Sequence, residues 1–184
     1  MEIMQGCYQR FLDGDDTALE EIIRSYRDGL ILYLNGILGD IRAAEELTED
    51  VFVKLVLKRP KFSGGSSFKT WLYAVARNMA RDYLRRRKHQ TVPLEDCLDL
   101  SAEEVNLERN YIGSESRALL HKAMARLKPE YRQVLWLRYF EEFSLSQVAR
   151  IMGKTTHNAE TLVYRARKAL KELLTQEGYE YEEL

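Results

Sequence analysis

The sequence predicts an all-α protein made of two small helical domains joined by a flexible acidic linker, with a helix-turn-helix in the C-terminal domain. The chain of 184 residues has only three Pro and ten Gly, and its apolar residues recur at helical spacing. Residues 89–116 lack that spacing, which is typical of a linker. Apolar residues make up 45% of the chain and charged residues 31%, which suffices for a folded core.

Three absences in the sequence bear on location. No run approaches the roughly 18 apolar residues that a membrane span needs, so we expect no direct insertion into a membrane. The N-terminus lacks the pattern of a signal peptide, and Cys7 and Cys97 form no CxxC pair. These observations favour a reducing, cytoplasmic location.

Charge is segregated along the chain, and it divides the sequence as the periodicity does. Residues 1–88 are predicted as one domain with net charge +2, and residues 89–116 as the linker with net charge −6. Residues 117–174 form the second predicted domain, with 12 basic and 5 acidic residues, and the tail 175–184 has net charge −4. A basic unit beside an acidic connector favours a polyanionic partner over an ordinary solvated surface.

The first domain begins with two predicted helices, over residues 16–34 and 41–57. The second carries four carboxylates, of Glu45, Glu46, Glu49 and Asp50. Paired carboxylates suit acid/base or metal chemistry, but no His lies nearby and no third ligand completes a site. Two interpretations of the carboxylates remain: a helix face that docks a protein, and a plain solvated face.

A loop and a long basic helix follow. Pro60 and the Gly64–Gly65 pair predict a loop over Lys58–Ser67, in which Lys61 and Phe62 suit a splayed-out nucleic-acid base; a basic surface turn is the alternative. Ser67 is expected to cap a helix over Phe68–Lys88. Helical spacing places a row of basic side chains opposite the apolar face of this helix. Tyr73 extends the row and Asn78 lies at its edge. A phosphate backbone is the natural counter-charge for such a row. The row consists of Arg77, Arg81, Arg85 and Lys88.

The second domain has the pattern of a helix-turn-helix. A helix over 117–127 precedes one that starts at Pro129 and carries Val134, Leu135, Leu137 and Phe140. Ser144 and Gln147 form a capping-box pattern before a short helix that Gly153 closes. Thr155 is expected to cap a longer helix through about 173, with a DNA-facing set of outward side chains near its start. That set is Thr156, His157, Glu160, Thr161, Tyr164, Arg165 and Lys168.

No motif for catalysis or for cofactor binding is present. The sequence has no GxSxG, HExxH or GxGxxG, so we expect neither an enzyme nor a bound cofactor or metal. A nucleic-acid enzyme with a helix-turn-helix would need a nucleophile, and Ser66 and Ser67 are the only loosely placed candidates.

Three segments resemble one family, the bacterial RNA polymerase sigma factors of the extracytoplasmic-function (ECF) type. GGSSFKTWLYAVARNMARDYLRRRK (64–88) resembles their DNA-melting segment, and AAEELTEDVFVKL (43–55) resembles their helix that binds core polymerase. LKPEYRQVLWLRYFEEFSLSQVARIMG (127–153) with YRARKAL (164–170) resembles their C-terminal DNA-binding domain. The resemblance covers roughly residues 8–174.

The resemblance implies a role for each segment. Core RNA polymerase would contact the helix face that bears Glu46, Glu49, Asp50 and Phe52, and the linker would thread the RNA-exit path. The C-terminal helix would read the minus-thirty-five element of promoter DNA. The minus-ten element would contact Lys61, Phe62, Ser63, Gly64, Ser66, Arg77, Asn78, Arg81 and Arg85.

Two aspects lie beyond direct transfer from the family. Family members often carry a basic residue and an Arg where this chain has Glu160 and Leu162, so the minus-thirty-five contacts do not transfer directly. An anti-sigma factor is a further partner that the family implies. The alternative function is a sigma-like DNA-binding regulator that does not melt promoters.

Overall fold

The structure is a computed structural model that describes residues 2–61, 67–90 and 114–176. Within those ranges the chain forms eight α-helices and one π-helical segment and no strand, which confirms the all-α prediction. We call α1–α4 the N-terminal unit and α5–α8 the C-terminal unit. The helices are α1 (Glu2–Leu12), α2 (Asp16–Leu38), α3 (Ile41–Lys58), α4 (Phe68–Gln90), α5 (Ser114–Arg126), α6 (Pro129–Leu135), the π-helical segment (Trp136–Phe140), α7 (Leu145–Met152) and α8 (Thr156–Gln176).

A two-residue turn folds α2 back against α3. Gly39 ends α2 in the left-handed conformation (φ 65°), and its N–H donates to the carbonyl of Asn35. The Asp40 carboxylate then accepts from the N–H of Ala43 at 3.2 Å and caps α3. Because the two caps leave only a short turn between the helices, α2 and α3 pack antiparallel with their apolar faces together. Helix α4 packs against both of them.

The first helix, α1, was not predicted from the sequence. It buries Cys7, Tyr8 and Phe11 against the rest of the N-terminal unit. The Tyr8 ring stacks on Phe68 at 4.4 Å between centroids, and its hydroxyl donates to the carbonyl of Pro60 at 2.6 Å. Burial raises the pKa of Tyr8 to about 12. One side chain therefore holds both flanks of the predicted base-binding loop.

Arg132 organises the C-terminal unit where α5 ends. Its guanidinium donates to the carbonyls of Met124, Ala125 and Leu127, at 2.7 to 3.1 Å. Burial lowers the pKa of Arg132, and these carbonyls are orphan acceptors that every helix leaves at its C-terminus. The contacts fix α5 against α6, while α8 packs across α5, α6 and α7.

A π-helical turn follows α6 and sets which side chains face outward there. The helix that starts at Pro129 changes to a π-helix at Trp136, where the N–H of Glu141 donates to the Trp136 carbonyl at 3.1 Å. A π-turn contains one more residue than an α-turn, so it rotates the side chains that follow. Phe140 is therefore 43% exposed, and its ring stacks on that of Trp136 at 4.5 Å between centroids.

The two units pack against each other. Buried apolar side chains from both form one continuous cluster, with α4 against α7 and α2 against α6. The predicted linker (89–116) and tail (175–184) lie mostly outside the described residues, so the domain boundaries stay predictions. In the described part of the chain, no helix is both long and apolar enough to cross a bilayer.

Candidate nucleic-acid interface

The helix-turn-helix is built by caps that lie close together in sequence. The Ser144 hydroxyl accepts from the N–H of Gln147 at 3.3 Å, while the Gln147 side chain accepts from the N–H of Ser144 at 2.9 Å. Gly153 closes α7 with φ 64°, and the Thr155 hydroxyl accepts from the N–H of Asn158 at 3.2 Å. The predicted capping box, turn glycine and cap of the next helix are thus confirmed.

Replacing Gly153 by alanine should lower the free energy of unfolding by about 1 kcal/mol. A Cβ at this position meets nothing within 4 Å, so the penalty comes only from the left-handed backbone. Urea unfolding followed by circular dichroism measures the change. Gly153→Asn is the control and should be less destabilised, because asparagine tolerates this conformation better. An alanine variant as stable as the wild type would contradict the strain argument.

The recognition helix α8 presents most of its predicted DNA-facing residues to solvent. Its opposite side buries Ala159, Leu162 and Val163, together with Ala166, in the C-terminal unit. Tyr164 is 71% exposed, which is unusual for so large a ring. Thr161 is half-buried, and the exposed members are Thr156, His157, Glu160, Tyr164, Arg165 and Lys168. Six of the seven predicted side chains therefore share one accessible half of the helix.

The basic row on α4 is only partly exposed. Asn78, Arg81 and Arg85 are accessible to solvent. Arg77 is 8% exposed, its Nε donates to the side-chain oxygen of Gln133 at 3.1 Å, and burial lowers its pKa. Tyr73 is fully buried, and burial raises its pKa.

The sequence-based placement of Tyr73 and Arg77 on an exposed face was therefore wrong. The physical reason is that α6 and α7 of the C-terminal unit cover this part of α4. Whether Arg77 contacts DNA is a separate matter and stays a prediction.

The predicted base-binding loop has fixed flanks. Arg59 ends α3 in the left-handed conformation (φ 39°) with its guanidinium 5.0 Å from the centroid of the Phe11 ring. On the other side the Ser67 hydroxyl accepts from the N–H of Thr70 at 3.2 Å, which confirms the predicted cap of α4. Lys61 is exposed. Four predicted contacts lie outside the described residues: Phe62, Ser63, Gly64 and Ser66.

The exposed face of α3 differs from the predicted one. Glu46, Glu49 and Asp50 are exposed as expected, but Phe52 is only 7% exposed and packs in the core, so its place on this face was wrong. Helical spacing puts it on the side that faces α2 and α4.

Apolar residues continue the same exposed face toward the end of α3. Val53 is 55% exposed, Val56 36% and Leu57 77%. The sequence signal for them is that α3 has more apolar positions than one buried stripe needs. We call Glu46, Glu49, Asp50, Val53, Val56 and Leu57 the α3 surface; its first half is acidic and its second half apolar.

These features define a class: a helical protein with a helix-turn-helix in its C-terminal unit and basic and acidic surfaces in its N-terminal unit. The family described as Sigma-70 region 2 matches residues 22–90, and the family described as Sigma-70, region 4 matches residues 117–170. The ECF sigma factor SigF of Caulobacter vibrioides is 32% identical, over 89% of this chain and 89% of its own. The chain belongs to the ECF-type RNA polymerase sigma factors.

Matches to other proteins also cover most of both chains. The ECF sigma factor SigW of Bacillus subtilis is 26% identical over 88% of this chain and 91% of its own. Among solved structures, the sigma factor RpoE of Bartonella quintana, in complex with the anti-sigma factor NepR, matches with a TM-score of 0.68 and 25% identity. That match covers 85% of this chain and 96% of that one.

Proposed function

We propose that this protein binds core RNA polymerase, directs it to specific promoters and helps to melt the minus-ten element. Family membership supports the general role. The observation that carries the specific proposal is the apolar half of the α3 surface. Exposed clusters of large apolar side chains mark protein interfaces, and a protein that only bound DNA would not need Val53, Val56 and Leu57 in solvent.

Polymerase docking on the α3 surface follows from its chemistry. The carboxylates of Glu46, Glu49 and Asp50 favour a basic partner surface, and such charges accelerate encounter more than they add affinity. The apolar side chains beside them supply the area that leaves water, which provides most of the affinity. Phe52 contributes indirectly, because its packing in the core orients α3.

The DNA contacts divide between the two units. In the N-terminal unit, the side chains of Asn78, Arg81 and Arg85 on α4 are exposed, as is that of Lys61, which supports contact with the minus-ten element. In the C-terminal unit, the exposed half of α8 supports reading of the minus-thirty-five element in the major groove. Glu160 faces outward there and can accept a hydrogen bond from the amino group of cytosine, whereas it would repel a phosphate.

An anti-sigma factor is the third proposed partner. The support is the match to RpoE, which was solved in complex with the anti-sigma factor NepR. None of these roles requires a catalytic group, so we propose a non-enzymatic subunit without a cofactor.

The test is open-complex formation by the purified chain with core polymerase on promoter fragments from the source genome. Thymines of the minus-ten element should become reactive to permanganate only when chain, polymerase and promoter are together. Binding to duplex DNA without reactive thymines would instead favour the regulator that does not melt promoters. If no association with core polymerase occurs, the proposal is wrong.

A further inference from the structure

Helix α1 contacts both ends of the segment that joins α3 to α4. At the first end, the Tyr8 hydroxyl donates to the Pro60 carbonyl at 2.6 Å. At the second end, the Tyr8 ring stacks on the Phe68 ring, with 4.4 Å between centroids and 17° between the ring planes. Phe68 is the first residue of α4. One side chain of α1 therefore contacts the chain on both sides of the predicted minus-ten contacts Phe62, Ser63, Gly64 and Ser66.

A second aromatic side chain of α1 contacts the end of α3. Phe11 lies three residues after Tyr8, so both rings share one face of α1. The Arg59 guanidinium lies 5.0 Å from the centroid of the Phe11 ring. Arg59 has a left-handed backbone (φ 39°), which is unfavourable for a residue with a Cβ. Because such conformations persist where surrounding contacts hold them, the Phe11 contact helps to fix the direction in which the chain leaves α3.

Helix α1 is itself attached to α2. The Arg10 guanidinium forms ion pairs with the carboxylates of Asp15 at 2.6 Å and Glu21 at 3.2 Å. The Cys7 thiol donates to the Glu21 carboxylate at 3.1 Å. On the opposite side of α1, Phe11 is 1% exposed in the core. The contacts of Tyr8 therefore join the segment after α3 to an element that has a fixed position in the N-terminal unit.

The Tyr8 hydroxyl holds the backbone at Pro60 and adds little to core packing. Tyr8 is 3% exposed, and a phenylalanine would bury the same ring. Burial raises the pKa of Tyr8 to about 12, so the hydroxyl keeps its proton and donates at neutral pH. The acceptor belongs to a proline, which has no N–H. The carbonyl is thus the only backbone group through which a hydrogen bond can hold Pro60.

The residue after Pro60 is the one that benefits from this hydrogen bond. Lys61 is exposed and lies outside the helices, whereas Arg81 and Arg85 are exposed on a helix whose backbone is already ordered. A residue outside a helix loses backbone freedom when it binds a ligand, and that loss weakens binding. Holding Pro60 in place reduces the loss at Lys61 and sets its position relative to α4.

We propose that Tyr8 is a positioning residue for minus-ten recognition: its hydroxyl fixes Pro60 and thereby presents Lys61 to the DNA that the exposed residues of α4 contact. Tyr8 is buried and does not itself touch DNA. The identity of the ligand rests on the proposed function, whereas the attachment of Pro60 to α1 can be measured in the free chain.

Cleavage by trypsin measures this attachment without DNA or polymerase. Trypsin cleaves after Lys and Arg but not before Pro, so Lys61 is its only cleavage position between Pro60 and Phe68. Tyr8→Phe keeps the ring and removes the hydroxyl. Cleavage after Lys61 should become about fivefold faster, which is the factor that one hydrogen bond contributes to local order. Tyr26→Phe is the control, because it removes a hydroxyl from another ring that contacts Phe68, at 5.6 Å, and it should leave the rate unchanged.

Binding of single-stranded DNA by the complex with core polymerase tests the role in recognition. The probe is the non-template minus-ten strand of a promoter at which the wild-type chain forms an open complex. Tyr8→Phe should weaken binding about fivefold, whereas Tyr26→Phe should not weaken it. Lys61→Ala should flatten the slope of log K against log salt by about 0.7, the value for one contact with a single strand. The affinity of Tyr8→Phe for core polymerase should equal that of the wild type.

A double-mutant cycle separates positioning from a general structural role. If Tyr8 acts through Lys61, Tyr8→Phe should weaken DNA binding in the wild-type chain but not in the Lys61→Ala chain, because the contact that it serves is already absent there. A general structural role would give the same factor in both chains.

Equal factors in the two chains would overturn the proposal. Equal cleavage rates and DNA affinities in Tyr8→Phe and Tyr26→Phe would overturn it as well. Failure of the wild-type chain to form open complexes would instead defeat the proposed function, and with it the DNA ligand, while the difference in cleavage after Lys61 would persist.

Discussion

Replacing Leu57 by aspartate is expected to weaken binding to core RNA polymerase by about 30-fold or more. Leu57 is 77% exposed, the highest value among the exposed large apolar side chains of the described residues. Burial of a leucine side chain contributes about 2 kcal/mol, which corresponds to about 30-fold in affinity. An aspartate at the same place would also bring an unpaired carboxylate into an apolar interface, which costs more.

The measurement is a titration of core polymerase with the labelled chain in the absence of DNA. Leu57→Ala should lose less affinity than Leu57→Asp, because it removes apolar area without adding a charge. Leu84→Asp is the matched control on α4, where the leucine is 36% exposed outside the α3 surface. The thermal stability of the free chain should not change in Leu57→Asp, because the side chain is already in water. Equal losses for Leu57→Asp and Leu84→Asp would remove the α3 surface as the docking site.

The sequence was most informative where structure is decided locally. The caps of α7 and α8 depend on side chains and backbone groups within three residues of each other, at Ser144 with Gln147 and at Thr155 with Asn158. Gly153 likewise forms its turn without help from distant residues. Because these interactions are short in sequence, residue type and spacing suffice to predict them.

The failures on α4 and α1 involve partners that are distant in sequence. A helical-wheel argument assumes one buried side, whereas α4 is covered by the N-terminal helices and also by α7. Ala76 and Ala80, both fully buried, were the available signal, since small side chains let a second helix approach. Similarly, α1 is stabilised by contacts of Tyr8 with Pro60 and Phe68, about 50 to 60 residues away. No local pattern encodes such contacts.

The site was therefore predicted better in the C-terminal unit than in the N-terminal one. The outward half of α8 could be read from its periodicity, because its inward half packs against α5, α6 and α7 of its own unit. On α3, periodicity could not distinguish the buried Phe52 from the exposed Val53, because the two residues are both apolar and are adjacent in sequence. Apolar side chains are usually buried, whereas those of a binding surface are exposed in the free protein.

Replacing both Arg77 and Arg81 by alanine is expected to flatten the salt dependence of promoter binding by the polymerase complex. Each phosphate contact with duplex DNA contributes about −0.9 to the slope of log K against log salt, so the double variant should lose about 1.8. Between 50 and 200 mM salt, the wild-type complex should lose about tenfold more affinity than the double variant. Filter binding at several salt concentrations gives the slope.

The single variants separate the two arginines according to their state in the free chain. Arg81 is exposed, whereas Arg77 is buried beside Gln133. With polymerase, each substitution should reduce the slope by about 0.9; for the free chain, only Arg81→Ala should do so. Arg24→Ala, an exposed arginine on α2, is the control and should leave both slopes unchanged. If Arg77→Ala changes the slope of the free chain as much as Arg81→Ala does, then Arg77 already reaches DNA without polymerase, and the C-terminal unit does not shield it.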